Sequence, residues 1–194
     1  MHKFISILLL SIVVLSAGGC TNEKPNIILL IGDDHRWDAL GAAGNTSIKT
    51  PNLDQFAKEG AYFKNAFVTT SISCSSRASV LTGQYASQNG IEDFKSELSD
   101  LQFENSYPMQ LKKNDYQIGF VGNYGIGQNE LKREKNAFDY FWGVTGQSKF
   151  VHMSGTGEAI HYTEMVQRHA FEFLDQATKS KPFLLVCQFY GASF

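Results

Sequence analysis

The sequence predicts an α/β domain with a mostly parallel central sheet and helices on both faces. Two stretches carry most of that prediction. Asn26-Ile-Ile-Leu-Leu-Ile-Gly32 and Pro182-Phe-Leu-Leu-Val-Cys-Gln-Phe189 are continuous apolar runs bounded by turn residues. Such runs are the pattern of strands buried on both faces, as in parallel sheets. The third observation is the helical punctuation between them, at Thr50 to Gly60 and at Ala159 to Thr178. The chain has 194 residues, 43% of them hydrophobic and 13% aromatic, enough for one domain with a substantial core. A net charge of −2 gives no support for nucleic-acid binding, and no repeat or low-complexity tract is present.

The first residues read as a targeting segment. Lys3 precedes Phe4 to Leu15, a run that is apolar apart from Ser6 and Ser11. It is shorter than the roughly 20 residues a spanning helix needs but fits a secretory h-region. Ser16-Ala-Gly-Gly-Cys20 follows, and small residues directly before a cysteine resemble the lipobox of bacterial lipoproteins. Ala17 stands where that motif usually has leucine; an ordinary cleaved signal peptide is the alternative. The expected organisation is a signal peptide over 1–19, a lipidated tether over 20–25 with Cys20 as the modified residue, and the folded domain over 26–194. Removing residues 1–19 takes away Lys3 and no acid, so the net charge moves from −2 to −3. Cys74 and Cys187 do not make a disulfide framework, and Cys187 is expected to be a buried apolar residue of its strand.

The first buried strand runs straight into Asp33-Asp34-His35-Arg36. Acids at the C-terminal end of such a strand sit where open α/β sheets place ligands. Adjacent carboxylates repel, and a hard cation would relieve the repulsion; a plain turn is the other reading. Thr50-Pro-Asn-Leu-Asp-Gln-Phe-Ala-Lys-Glu-Gly60 predicts a helix capped by Thr50, with Pro51 in its first turn, Gly60 at its stop, and Leu53, Phe56 and Ala57 facing inward. Ala61 to Thr69 reads as a strand or extended segment. Ser71-Ile-Ser-Cys-Ser-Ser-Arg-Ala-Ser-Val-Leu-Thr-Gly83 then joins small hydroxylated residues and an arginine to an apolar helical run. A nucleophile or anion at that junction would meet free N–H groups and the positive end of a helix. Arg77 would add an always-charged fork. A plain capped helix is the bland alternative.

Pro25 to Asp34, Thr50 to Gly60 and Ser73-Cys-Ser-Ser-Arg-Ala-Ser-Val-Leu-Thr-Gly83 together resemble the N-terminal half of the sulfatase family. The family has the alkaline-phosphatase-like sandwich fold, and the resemblance covers nearly all the chain after the leader. It implies catalytic roles for Ser73 and Arg77, because the family's nucleophile lies four residues before its arginine and that arginine six before the glycine. This register selects Ser73 over the neighbouring Cys74, since a one-residue slip at a helix entrance turns a side chain by about 100°. It also implies conversion of Ser73 to formylglycine by a dedicated maturase. One geminal hydroxyl of hydrated formylglycine would attack sulfur and release the alcohol, and the other would expel sulfate as the aldehyde re-forms. The implied metal is Ca2+, or Mg2+, held by Asp33, Asp34 and residue 73, lowering the nucleophile's pKa and neutralising sulfate oxygens. Arg77 would hold the formylglycine hydroxyl or the ligand carboxylates in place.

Asp115-Tyr-Gln-Ile-Gly-Phe-Val-Gly-Asn-Tyr-Gly-Ile-Gly127 resembles a second family segment, a short strand followed by Gly-Lys-Trp-His-Leu-Gly. Here Asn123 stands at the sulfate-contacting lysine and Gly125 at the histidine. Asn123 is the candidate substrate-binding residue, able to donate a hydrogen bond but supplying no charge. Gln128 to Glu158 reads as polar, aromatic-rich loop, and His152 and His161 as surface or loop histidines. Sulfatases are generally more than twice this length, so the fold is expected to be incomplete at its C-terminus, with further metal ligands outside the chain.

The resemblance implies a sulfuric-ester hydrolase acting on sulfated carbohydrate or another sulfate ester. Its expected setting is the bacterial periplasm or outer membrane, with membrane attachment through the lipid anchor only. A phosphoester or phosphonate-ester hydrolase on the same scaffold is one alternative; a truncated, non-catalytic lipoprotein fragment is another.

Overall fold

The computed structural model describes residues 23–128, 130–146 and 149–190. The leader, Cys20 and the last four residues lie outside the described residues. In chain order the elements are β1 (Ile27–Asp33), a 3-10 turn (Gly41–Ala43), α1 (Pro51–Glu59), α2 (Ser73–Thr82), α3 (Ala86–Asn89), α4 (Asp100–Glu104), α5 (Tyr107–Lys113), β2 (Gln117–Asn123), α6 (Lys132–Ala137), β3 (Tyr140–Val144), β4 (Val151–Met153), β5 (Ala159–His161), α7 (Tyr162–Gln176) and β6 (Phe183–Tyr190).

Four strands form one parallel sheet in the order β1-β6-β2-β3. The two apolar runs predicted as strands are therefore neighbours, with Ile27 opposite Leu184 and Asp33 opposite Tyr190. Alternation along the strands divides the core in two. On one face Cys74, Ala78 and Leu81 of α2 and Met109 of α5 pack against Ile118, Phe120, Leu184 and Val186. On the other, Tyr162, Val166 and Phe173 of α7 pack against Val121, Leu185 and Cys187. Each such fully buried aliphatic side chain contributes about 1.5–3 kcal/mol. The connections β1 to β2 and β3 to β6 cross the sheet in opposite directions, and their helices lie on opposite faces. That arrangement is what right-handed crossovers require.

Several expectations are corrected. β1 is buried on one face only: Ile27, Leu29 and Ile31 meet the core, while Ile28 and Leu30 are 53% and 54% exposed. Among the described residues β1 is an edge strand, and α7 covers its neighbours on that face but not β1 itself. Helix α1 forms where predicted, yet none of its residues is buried, and Leu53 and Phe56 lie open. Thr50 makes no capping bond; its hydroxyl donates instead to Asp54 Oδ1 at 2.8 Å and accepts from the Gly41 N–H at 2.9 Å. Ala61 to Thr69 contains no strand. The stretch after Gln128 is not simply loop, since it contains α6, β3 and the antiparallel pair β4–β5. Phe138 and Phe141 within it enter the core, and dense aromatic residues there signal that burial. His152 lies on β4, and His161 caps α7 by accepting from the Thr163 N–H at 3.2 Å.

A candidate active site at the C-terminal end of β1

The site is made where β1 ends and α2 begins. β1 delivers Asp33 to the C-terminal edge of the sheet, and the chain turns at once, with Asp34 in the left-handed region at φ +56°. Aspartate tolerates that conformation better than bulky residues do. α2 starts earlier than its apolar residues suggest, at Ser73, because the small residues Ser73, Cys74 and Ser75 fit the crowded first turn. Ile72 is its N-cap and offers no side-chain bond to the first-turn N–H groups. Those groups leave a partial positive charge beside Ser73. Gly83, in the left-handed conformation at φ +70°, closes the helix by donating its N–H to the Ser79 carbonyl.

Ser73 Oγ donates to Asp33 Oδ1 at 3.2 Å. Arg77, one turn along the same helix face, forms a close ion pair through Nη2 with Asp33 Oδ2. The side chains of Arg77 and Asp33 are 7% and 14% exposed, so the pair is largely withdrawn from water and screening is weak. Asp33, Asp34, His35, Ser73, Ser76 and Arg77 line one cleft of about 290 Å3. Cys74, by contrast, points into the core and is 0% exposed.

The fold thus brings Asp33, Asp34, Ser73 and Arg77 to a single cleft. Asn123 is placed differently. It ends β2 and is completely buried, neither atom of its side-chain amide having a hydrogen-bond partner. Gln188, within the apolar run of β6, also reaches the cleft. One amide in an otherwise apolar buried run was the signal available for it.

A metal can be tested against this donor set. Two carboxylates and a hydroxyl oxygen suit a hard cation, but Ca2+ takes about six to eight oxygens. No cluster of three or more His, Cys, Asp or Glu side chains suited to a metal occurs among the described residues. Asp33 and Asp34 therefore fit as part of a metal site.

Comparison with known proteins shows the family of the chain. The family described as Sulfatase matches residues 25–192. The chain is 31% identical over 199 residues to an N-acetylglucosamine-6-O-sulfatase of Bacteroides thetaiotaomicron, covering 93% of this chain and 34% of that protein. A solved structure in complex with its substrate, D-glucosamine-2-N,6-O-disulfate, superposes with a TM-score of 0.67 at 26% identity, over 89% of this chain and 35% of the other. A phosphonate monoester hydrolase of Agrobacterium radiobacter superposes with a TM-score of 0.65 over 86% of this chain and 41% of the other, and at 18% identity shows the shared fold alone. The chain spans about a third of the length of the first of these relatives. The Ser73–Arg77 turn, the acid pair after β1 and the family match over nearly all the described residues lead to one conclusion: the chain belongs to the sulfatase family and corresponds to its N-terminal portion.

Proposed function

We propose that the protein hydrolyses sulfate esters of carbohydrates, with residue 73 as nucleophile after conversion of Ser73 to formylglycine. The contact between Ser73 Oγ and Asp33 at the first turn of α2 carries this reading. On this reading the reactive oxygen would lie beside a carboxylate that accepts its hydrogen bond, at a helix end suited to an anion. Hydrated formylglycine would supply a geminal pair of hydroxyls, one to attack sulfur as the ester S–O bond breaks, the other to release sulfate as the aldehyde returns. Asp33 and Asp34, with residue 73, would hold part of the coordination shell of a Ca2+ or Mg2+ ion, which would neutralise sulfate oxygens. Arg77 orients Asp33 through their ion pair, and adds positive charge where the sulfate group must sit. Asn123 brings no charge, so Arg77, the metal and the helix end would share the sulfate's charge. The disulfated glucosamine in the similar solved complex supports a sulfated amino sugar as substrate class. The apolar leader ending at Cys20 supports export and lipid anchoring, in the periplasm or at the outer membrane.

The test is co-expression with a formylglycine-generating maturase, then mass spectrometry of the peptide containing Ser73. Loss of a pair of hydrogens from Ser73 is expected, with sulfate release from N-acetylglucosamine 6-O-sulfate and little phosphate release from an aryl phosphate. Conversion of Cys74 instead would overturn the assignment of the nucleophile, and preferential phosphate release would favour a phosphoester hydrolase.

A further inference from the structure

Behind the Asp33–Arg77 pair lies a second layer of buried polar groups. Gln188 occupies the strand between β1 and β2 and is 3% exposed. A buried amide in an apolar strand is costly unless both of its ends are paired. One orientation of the Gln188 amide pairs both: its oxygen accepts from Arg77 Nε, and its nitrogen donates to the Asn123 main-chain carbonyl at 3.0 Å. Gly125, at φ +57°, lies against the other side of the guanidinium. A Cβ there would run into Arg77 Nη1 and come within 3.0 Å of Asn123 Oδ1. The guanidinium is therefore bounded by Asp33 at Nη2, Gln188 at Nε and bare backbone at Nη1.

We propose that Gln188 is a positioning residue for Arg77, and that the missing side chain at position 125 makes room for this placement. The attraction between Arg77 and Asp33 sets their separation but leaves the plane of the fork free to rotate. A second hydrogen bond at Nε removes that freedom, because the five N–H groups of the guanidinium are coplanar. Gln188 is itself oriented by the end of β2, through the Asn123 carbonyl. The buried relay thus runs from β2 through β6 to the acid that accepts from Ser73. The consequence for turnover rests on the sulfatase reading above; the placement of Arg77 does not.

The test is hydrogen exchange at the Arg77 Nε–H in the 15N-labelled protein, assigned by its loss in Arg77→Lys. In the wild type this proton is expected to exchange slowly. Gln188→Met keeps the length of the side chain but removes the acceptor, and should speed exchange by about tenfold, the scale of one lost hydrogen bond. Gln188→Glu restores an acceptor and should restore slow exchange. Leu185→Ala, in the same strand but facing α7, should weaken the fold without that selective effect. Unchanged exchange in a folded Gln188→Met protein overturns the proposal, as does wild-type exchange as fast as that of exposed Arg168. If Gln188→Met does not fold, Gly125→Ala serves instead: faster exchange supports the placement and unchanged exchange overturns it. In matured protein, Gln188→Met should lower kcat for an aryl sulfate with KM little changed, and Gln188→Glu should recover part of the loss. Absence of sulfate release by the wild type would sink the sulfatase reading, and the exchange measurement would still decide the role of Gln188.

Discussion

Ser73 and Asp33 lie 40 residues apart in the chain, yet the serine hydroxyl reaches the aspartate carboxylate at 3.2 Å. The same carboxylate takes the Arg77 guanidinium on its other oxygen. One acid thus ties the end of β1 to the first turn of α2.

Removing one side of the Asp33–Arg77 pair should be costly, since it strands a charge with little access to water. Asp33→Ala is expected to lower the free energy of unfolding by about 3 kcal/mol. Urea unfolding in the presence of EDTA measures this without a contribution from bound metal. Because the two residues interact directly, the double variant Asp33→Ala/Arg77→Met should lose clearly less than the sum of the single losses. Additive losses would show that the pair contributes nothing as a pair.

Cys74 neighbours Ser73 but serves the core. Cys74→Ala should cost about 1 kcal/mol of stability, the typical scale of a small core truncation. It should leave conversion of Ser73 by the maturase intact, whereas Ser73→Ala should abolish modification of the peptide. Thermal melts and mass spectrometry of the same preparations separate the two effects.

Ile28 and Leu30 make an apolar stripe on the open face of β1. A right-handed crossover from β6 to the free edge of β1 would lay its helix on the α7 side, over these residues. In a protein of residues 21–194 the stripe should therefore bind the dye 8-anilinonaphthalene-1-sulfonate and favour self-association. Ile28→Ser/Leu30→Ser should reduce both, as read by fluorescence and light scattering, with little loss of stability. Unchanged dye binding would place the sticky surface elsewhere.

Burial in β6 pushes the Cys187 thiol up to about 11 from an ordinary value of 9.0. The folded state therefore favours the protonated form. This contribution to stability is fully present below pH 9 and is lost as pH rises through about 11. Urea midpoints of the wild type should thus fall between pH 8 and pH 11 by more than those of Cys187→Val. Alkylation of native Cys187 by iodoacetamide at pH 8 should be slow, and fast once the protein is unfolded.

Much of this was legible in the residues themselves. Continuous apolar runs mark β1 and β6, since a short apolar run bounded by turn residues is the pattern of a parallel-sheet strand. The hydroxylated residues and apolar run of Ser71 to Gly83 marked α2, the resemblance to the sulfatase family pointed to Ser73 within it, and the acid pair after β1 marked the cleft edge. Periodicity reports local burial, however, and cannot say which neighbour supplies it. That is why α1, amphipathic in sequence, lies open, and why one face of β1 is uncovered. The tertiary structure alone decided that β6 inserts between β1 and β2. This single pairing sets Tyr190 opposite Asp33 and carries Gln188 to Arg77. Sheet order is a long-range choice, made by crossover handedness and by packing on both faces. The residue types and their spacing determined which candidate groups the chain carries, and the sheet order determined which of those side chains meet.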